Sequence, residues 1–336
     1  MTSGGSGSKI RFVSRRGVLA GAGAALALPR VARAADKLSV KLDFLPWGLH
    51  APMHLANANG WFRDAGLEVE VQDGRGSANT LQLVNAGQFD VGQIQVGLLS
   101  QAAASGAKLT AFAGFLRGTD LAVLVPEGSG YKGAADFRGK SLVVFATSPW
   151  APFVDLWLKS GGQSRETVNV MMVDPSALFG TYTAGRADGL MSPIASALPV
   201  AQKARPSRAI MASASGIRFP SYGLVTASSL LPQKREALKR LVEVQQRCWA
   251  WVRDGHVDEA TSAMLKQRAD ARLDPEIVAG QLRLCIELMD TPNTQGKPIG
   301  WQSEADWQAG IQTQLAAGVV KPGLQAGAFF TNELIG

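Results

Sequence analysis

Cysteine is nearly absent: 336 residues carry two, Cys248 and Cys285, with no CxxC pair. That excludes the disulfide framework of small secreted domains and a cysteine zinc knot. Two readings of the thiols stay open, one bridge in an oxidising compartment or two buried, small apolar side chains. Histidine is also scarce, with three residues, and neither Ser148 nor Ser192 has a recognisable His–Asp partner for nucleophilic catalysis. No P-loop occurs, so any transport ATPase must be another chain. Acidic residues are missing from residues 1–34, which hold six Lys or Arg. The formal charge of +7 comes from that segment: once its six are taken from the 34 basic residues, 28 stand against 27 acidic ones. A near-neutral remainder gives no argument for nucleic-acid binding.

What is present begins with an export signal. Ser14-Arg15-Arg16-Gly17-Val18-Leu19 resembles the twin-arginine consensus. An Ala- and Gly-rich apolar run over 18–28 follows, too short to span a bilayer. Ala32-Arg33-Ala34 is a small-x-small site, which puts cleavage after Ala34 and the mature protein in the periplasm. The 302 or so residues that follow, at 46% hydrophobic overall, suffice for two compact lobes.

The chain is organised around residues 41–62, KLDFLPWGLHAPMHLANANGWF. Alternation at Leu38, Val40, Leu42 and Phe44 predicts a strand; Pro46, Gly48 and Pro52 break it; a helix follows and stops at Asn59-Gly60. In open α/β sheets ligands sit at the carboxyl ends of strands, near helix N-termini. Trp47, His50 and His54 fall at that place. Residue by residue, Asp43, Phe44, Pro46, His50 and Ala56 resemble the first signature of the periplasmic binding proteins for thiamine pyrimidine precursors. Those proteins share a superfamily with binders of nitrate, taurine and alkanesulfonates. Trp47 stands where the pattern has Asn, Pro52 where it has Gly, and His54 where it has Tyr. Gly60-Trp61-Phe62 with Ala65-Gly66-Leu67-Glu68-Val69 resembles a block common to the whole superfamily.

Further blocks occur in family order. Gly74-Arg75-Gly76-Ser77 resembles the Gly-x-x-Ser loop that receives a polar or anionic group, with Ser77 as a natural N-cap of a helix over 78–86. Gly87-Gln88-Phe89-Asp90-Val91-Gly92 resembles the turn into strand three, whose end carries Gln93 and Gln95. Strand four, 109–115, ends at Arg117-Gly118-Thr119-Asp120. Asp136-Phe137-Arg138-Gly139-Lys140 resembles the turn that opens a second domain, and Thr147-Ser148-Pro149-Trp150 caps a helix there. The rhythm reads as five βα-type units, a crossover at 121–125, about a hundred residues of the same, a return crossover at 224–226, then helices over 230–252, 275–289 and 304–315. Their polar faces place those helices around the first lobe, away from the ligand. The resemblance implies an α/β, two-lobed periplasmic binding protein of type II. Lobe I would be 35–121 and 223–336, lobe II 122–222, joined by two hinge strands.

It implies no enzyme: a solute-binding component of an ABC importer, a monomer without cofactor that meets a small-molecule ligand and a membrane permease. The same fold hosts an aromatic sulfinate desulfinase that needs a cysteine near the first strand, and a fungal pyrimidine synthase with a Cys-rich iron motif. This chain has neither feature. Candidate ligand-binding residues are Trp47, His50, His54, Arg75, Ser77, Gln93, Gln95 and Arg117 from lobe I, with Thr147, Ser148, Trp150, Ser192 and Tyr222 across the cleft. Trp47 and Trp150 would close on a flat ring from two sides. His50 and His54 stand four apart, as helical metal ligands do, but Pro52 lies between them and no carboxylate completes a site, so the metal reading yields to hydrogen bonding. The aromatic count favours a pyrimidine or similar ring. Arg75 and Arg117 keep an aromatic carboxylate, a sulfonate or a taurine-type anion open. A periplasmic enzyme on the same scaffold, acting on an aromatic substrate, is the alternative of another class.

Overall fold

A computed structural model describes residues 1–5, 7 and 35–336. The segment read as an export signal, with its cleavage site after Ala34, therefore falls almost wholly outside the described residues. From residue 35 onward the chain builds two five-stranded mixed sheets. The first runs β2-β1-β3-β10-β4, from β1 (Asp36–Lys41), β2 (Leu67–Gln72), β3 (Val91–Gln95), β4 (Leu109–Gly114) and β10 (Tyr222–Ala227). The second runs β7-β6-β8-β5-β9, from β5 (Leu121–Pro126), β6 (Ser141–Phe145), β7 (Asn169–Val173), β8 (Gly189–Pro193) and β9 (Ser207–Met211). The two orders correspond strand for strand. In each sheet the fourth strand runs antiparallel to its neighbours and is the one a crossover delivers, β10 to the first and β5 to the second.

The sequence pattern explains which strands are central. β3 is VGQIQ, buried at every position, and β5 is LAVLVP, buried through Val125; both are covered on two faces. The edge strand β2 alternates LEVEVQ with its glutamates outward. Four strands, not five units, precede the crossover, because the run at Leu121 already belongs to the second sheet.

Helices α1 (Ala51–Ala58), α2 (Trp61–Asp64), α3 (Ser77–Asn85) and α4 (Leu99–Ala104) connect the strands of the first sheet. α5 (Val154–Ser160), α6 (Leu178–Thr183) and α7 (Ile194–Ala204) serve the second. After β10 come α8 (Leu230–Gln233), α9 (Arg235–Arg253), α10 (Val257–Gln267), α11 (Pro275–Glu287) and α12 (Glu304–Ala316). The helix expected over 230–252 is two, broken at Lys234, whose ammonium reaches Asp90 Oδ1 at 2.8 Å. Its apolar stripe is as expected: Leu238, Leu241, Val242, Cys248, Trp249 and Val252 are buried. α10 escapes the periodicity because its inner face is mostly small, Ala260, Thr261 and Ala263 between Val257 and Met264. Cys248 and Cys285 are free and buried, and burial pushes the Cys248 thiol up to about 12. Among the described residues no helix is long and apolar enough to cross a membrane.

Candidate functional site

The carboxyl ends of β1, β2, β6 and β8 face one another across a cleft. β1 delivers Asp43, which a short irregular stretch follows before a 3-10 turn, Gly48–His50, leads into α1. Asp43 Oδ1 accepts His50 Nε2–H at 2.8 Å and the Trp47 indole N–H at 3.4 Å. His50 Nδ1 in turn accepts the Trp47 backbone N–H at 3.4 Å, which sets the tautomer with the proton on Nε2. His50 is fully buried and lies behind the cleft: it orients Asp43, and Asp43 lines the wall. Gly48 is held against α11, where a Cβ would come within 2.6 Å of Gln281 Cβ and of the Val278 carbonyl. Only glycine lets its N–H reach Gln281 Oε1 at 2.9 Å. Gln281 Nε2–H then donates to the Ser196 carbonyl at 2.7 Å, on α7 of the second lobe. This corrects the expectation that the C-terminal helices stay away from the site. α11 bridges both lobes through one buried amide, an isolated polar residue that a helical hydropathy pattern treats as surface.

β2 delivers the loop before α3. Gly76 has φ +115° and passes so close to Thr147 of the second lobe that a Cβ would sit 2.2 Å from its Oγ1. Ser77 is the first residue of α3 rather than its cap, and its hydroxyl accepts the Gln95 N–H at 3.2 Å. Thr147 Oγ1–H donates to the Arg75 carbonyl at 2.8 Å. The Arg75 side chain is 71% exposed and meets Asp174 of the second lobe at 3.6 Å, an ion pair at the rim.

From the second sheet, β6 ends at Phe145, whose ring stacks on Phe44 with centroids 5.3 Å apart and planes at 23°. Pro149, Leu178, Ser192, Pro193 and Ser196 complete that side. Ser192 and Ser196 lie hydroxyl to hydroxyl at 3.3 Å. Trp150 does not close on a ring in the cleft. It is fully buried in the second lobe's core, edge-on to Trp157, and its indole N–H donates to the carbonyls of Ala122 and Ser192 at 3.0 and 3.3 Å. Ser148 accepts the Trp150 N–H at 3.2 Å and caps that turn. The aromatic partner of Trp47 is Tyr222 instead, edge-on at 5.5 Å.

Four further candidates also lie elsewhere. Arg117 is buried against the segment that links α11 to α12, where its guanidinium bonds the carbonyls of Met289, Pro298 and Trp301 and pairs with Asp290. His54 binds Gln267 Oε1 at 3.0 Å on α10, and burial lowers its pKa to about 4, so it stays neutral. Gln93 is buried under the sheet with its Oε1 unpartnered. Gln95 is buried one step behind the wall, its Nε2–H donating to Asp120 Oδ1 at 2.8 Å. The candidate set omits Asp43, Phe44, Phe145, Ser196 and Asp120, although Phe145 counts among the strand-end aromatics that point to an aromatic ligand. Asp43 and Phe44 had a signal, since they are matched positions of the motif; the others have none apart from position at a strand end.

The cleft stands closed. Its cavity volume is ≈ 20 Å³, room for about one water molecule. Its lining contains one carboxylate, three hydroxyl-bearing serines and four aromatic rings, and no Lys or Arg. Among the described residues no group of three or more His, Cys, Asp or Glu is placed to hold a metal ion. A wider groove of ≈ 300 Å³ between α3 and α4 is lined by Ala, Leu, Gln and Asn, away from the strand ends.

Comparison with known proteins agrees with this architecture. A protein of Brucella abortus (strain 2308) named as a candidate binding protein is 26% identical over 240 residues, 69% of this chain and 72% of the relative. A 4-amino-5-hydroxymethyl-2-methylpyrimidine phosphate synthase of Saccharomyces cerevisiae is 28% identical over 95 residues, 28% of each chain. The periplasmic aliphatic sulphonate binding protein of Escherichia coli superposes with a TM-score of 0.64 at 14% identity, over 84% of this chain and 86% of that one. At that identity it shows the two-lobed fold alone. The model of the family described as NMT1/THI5 like matches residues 47–257, and the chain belongs to that family.

Proposed function

We propose that this protein is a periplasmic solute-binding component of an ABC importer, and that its cleft captures a small heteroaromatic ligand bearing N–H donors, of the aminopyrimidine type. One observation carries the reading: the Asp43 carboxylate, held by His50 and Trp47, lies in a wall of Phe44, Trp47, Phe145 and Tyr222 with no cation beside it. A flat ring gains area and stacking from those four side chains. An amino group on the ring meets an ionic acceptor, and charge-assisted hydrogen bonds are about twice as strong as neutral ones. A carboxylate or sulfonate in the same place would face Asp43 at short range with nothing to offset the repulsion. Arg75 gives an anion no anchor, because its side chain points to the exposed rim, and Arg117 gives none because it is committed to the segment between α11 and α12.

Closure fits uptake. Lobe–lobe contacts at Phe44–Phe145, Thr147–Arg75 and Gln281–Ser196 form only when the lobes are together. A ligand shifts that equilibrium by its differential contacts with both lobes, and a permease can read the closed form. A thermal-shift screen of residues 35–336 tests the reading, with pyrimidines, aromatic carboxylates, sulfonates, taurine and nitrate as probes. A ligand at 100 times its Kd stabilises the folded state by about 2.7 kcal/mol. Aminopyrimidines should raise the melting temperature and be recovered unchanged. A shift confined to anions would contradict the ligand, and conversion of the bound compound would move the protein to the enzyme reading.

A further inference from the structure

We propose that Gln281 is a positioning residue for the cleft: with the face of α11 around it, it clasps the second lobe from outside the cavity and holds the closed lobes in register on the ligand. The inference rests on the solute-binding reading and not on the chemistry of the ligand. Gln281 is buried, and both ends of its amide are used across the lobes. Its Oε1 accepts the Gly48 N–H at 2.9 Å, and its Nε2–H donates to the Ser196 carbonyl at 2.7 Å. An N–H only donates and a carbonyl only accepts, so the two partners fix which way the amide faces. Gly48 adjoins Trp47 and shares a turn with His50, the two residues that hold Asp43. Ser196 lines the cavity from the other side, where its hydroxyl meets that of Ser192. One side chain that does not itself line the cavity thus ties its two walls together.

The amide is part of a helix–helix contact. Ser196, Pro199 and Lys203 recur on one face of α7 at helical spacing. They meet Gln281, Gly280 and the first turn of α11 in reverse order, so the two helices run antiparallel across the lobe boundary. Lys203 Nζ pairs with Asp274 and lies 3.2 Å from Glu276 Oε2. Gly280 lets the helices approach: a Cβ there would lie 3.3 Å from Pro199 Cβ and 3.4 Å from its Cγ. The exposed ion pairs add little, since water and salt screen them. The buried amide sets the register, because a hydrogen bond demands a defined distance and angle. When the lobes part, the bond to Ser196 breaks and the bond to Gly48 stays, since α11 packs directly on the Gly48 turn. No atom of this contact belongs to a ligand. The clasp therefore favours the closed form whatever the cleft holds, and a bound ligand leaves only after it has opened.

Two variants separate the clasp from folding. Gln281→Met keeps the length of the side chain and removes both bonds. Gly280→Leu leaves the amide in place and wedges α7 away from α11; leucine favours a helix more than glycine does, so α11 itself is not weakened. Small-angle scattering of the ligand-free protein should give both variants a larger radius of gyration than the wild type, at unchanged far-UV circular dichroism. With 4-amino-5-hydroxymethyl-2-methylpyrimidine as probe, stopped-flow fluorescence should show dissociation from Gln281→Met faster by about two- to tenfold, the range for one lost hydrogen bond, with association little changed. A glutamine that only supports the fold would lower the melting temperature and leave that dissociation rate as it was. Equal radii in the three proteins, or a dissociation rate that neither variant moves, overturns the clasp and makes the α7–α11 contact a fixed pivot. The scattering needs no ligand: if the radii differ while no pyrimidine binds, the clasp stands and the aminopyrimidine reading alone has failed.

Discussion

The two lobes share one strand order and meet the cleft with different surfaces. The first presents Asp43 locked by His50 and Trp47, with Tyr222 edge-on to Trp47 and the Ser77 hydroxyl accepting the Gln95 N–H behind the wall. The second presents Phe145, Leu178, two prolines and two serines bonded to each other and to the chain. Identical topology therefore leaves chemistry free to differ, because the strand-end loops carry it. The first lobe is built to recognise a ligand before closure. The second is built to cover it.

The largest effect that sharpens this comparison is expected at Asp120. Its carboxyl is held near 7 in the folded protein, against about 3.9 in an unfolded chain. Below pH 4 both states keep the proton. Between pH 4 and 7 the unfolded state releases it and the folded state does not, so stability falls as pH rises and levels off above 7. The span is on the order of 4 kcal/mol. His54 has the opposite sign, since burial lowers its pKa to about 4 and stability is lost as pH falls from the usual histidine range toward that value. The readout is accordingly the difference between wild type and Asp120→Asn in urea unfolding: the variant should gain steadily on the wild type from pH 4 to 7. A constant difference would remove the buried charge from the account.

Next in size, Asp43→Asn should cost roughly 1.5 to 3 kcal/mol of aminopyrimidine affinity, the range for a hydrogen bond to a charged group, measured by calorimetry. Melting temperature should change little, because the amide oxygen still accepts from His50. Phe145→Ala, on the covering side, should cost about 1 kcal/mol or less of affinity beyond lost area, and should enlarge the open fraction seen by small-angle scattering. A loss at Phe145 larger than at Asp43 would reverse the assignment of the two lobes. Arg75→Ala should have the smallest effect, within about 1 kcal/mol for an exposed ion pair that salt screens.

Much of the fold was legible because its signals are local and repeated. The Asn59-Gly60 stop and the apolar stripe of α9 appear in the structure at the expected place, and β1 forms with its alternation at Leu38 and Val40 but ends at Lys41, before Leu42 and Phe44. α10 was not legible because alanines make a weak stripe. The site was less legible than the fold. Trp47, Ser77, Ser192 and Tyr222, expected from their position at strand ends, line the small cavity between the sheets. That expectation failed for Trp150 and Arg117, which also follow strands but turn to backbone carbonyls instead. Whether a strand-end side chain turns inward or outward depends on partners more than a hundred residues away, such as Pro298 and Trp301 for Arg117. Gln281 shows the same limit in reverse, since its two partners, Gly48 and Ser196, are 233 and 85 residues distant.

The most direct measurement is calorimetric titration of the protein with a matched pair: 4-amino-5-hydroxymethyl-2-methylpyrimidine and the same ring carrying a carboxylate in place of the amino group. An acceptor-lined aromatic cleft predicts that the amine binds at about micromolar Kd, roughly −8 kcal/mol, and the acid at least a hundredfold more weakly. Tighter binding of the acid would contradict the central claim that Asp43 is the group the ligand meets.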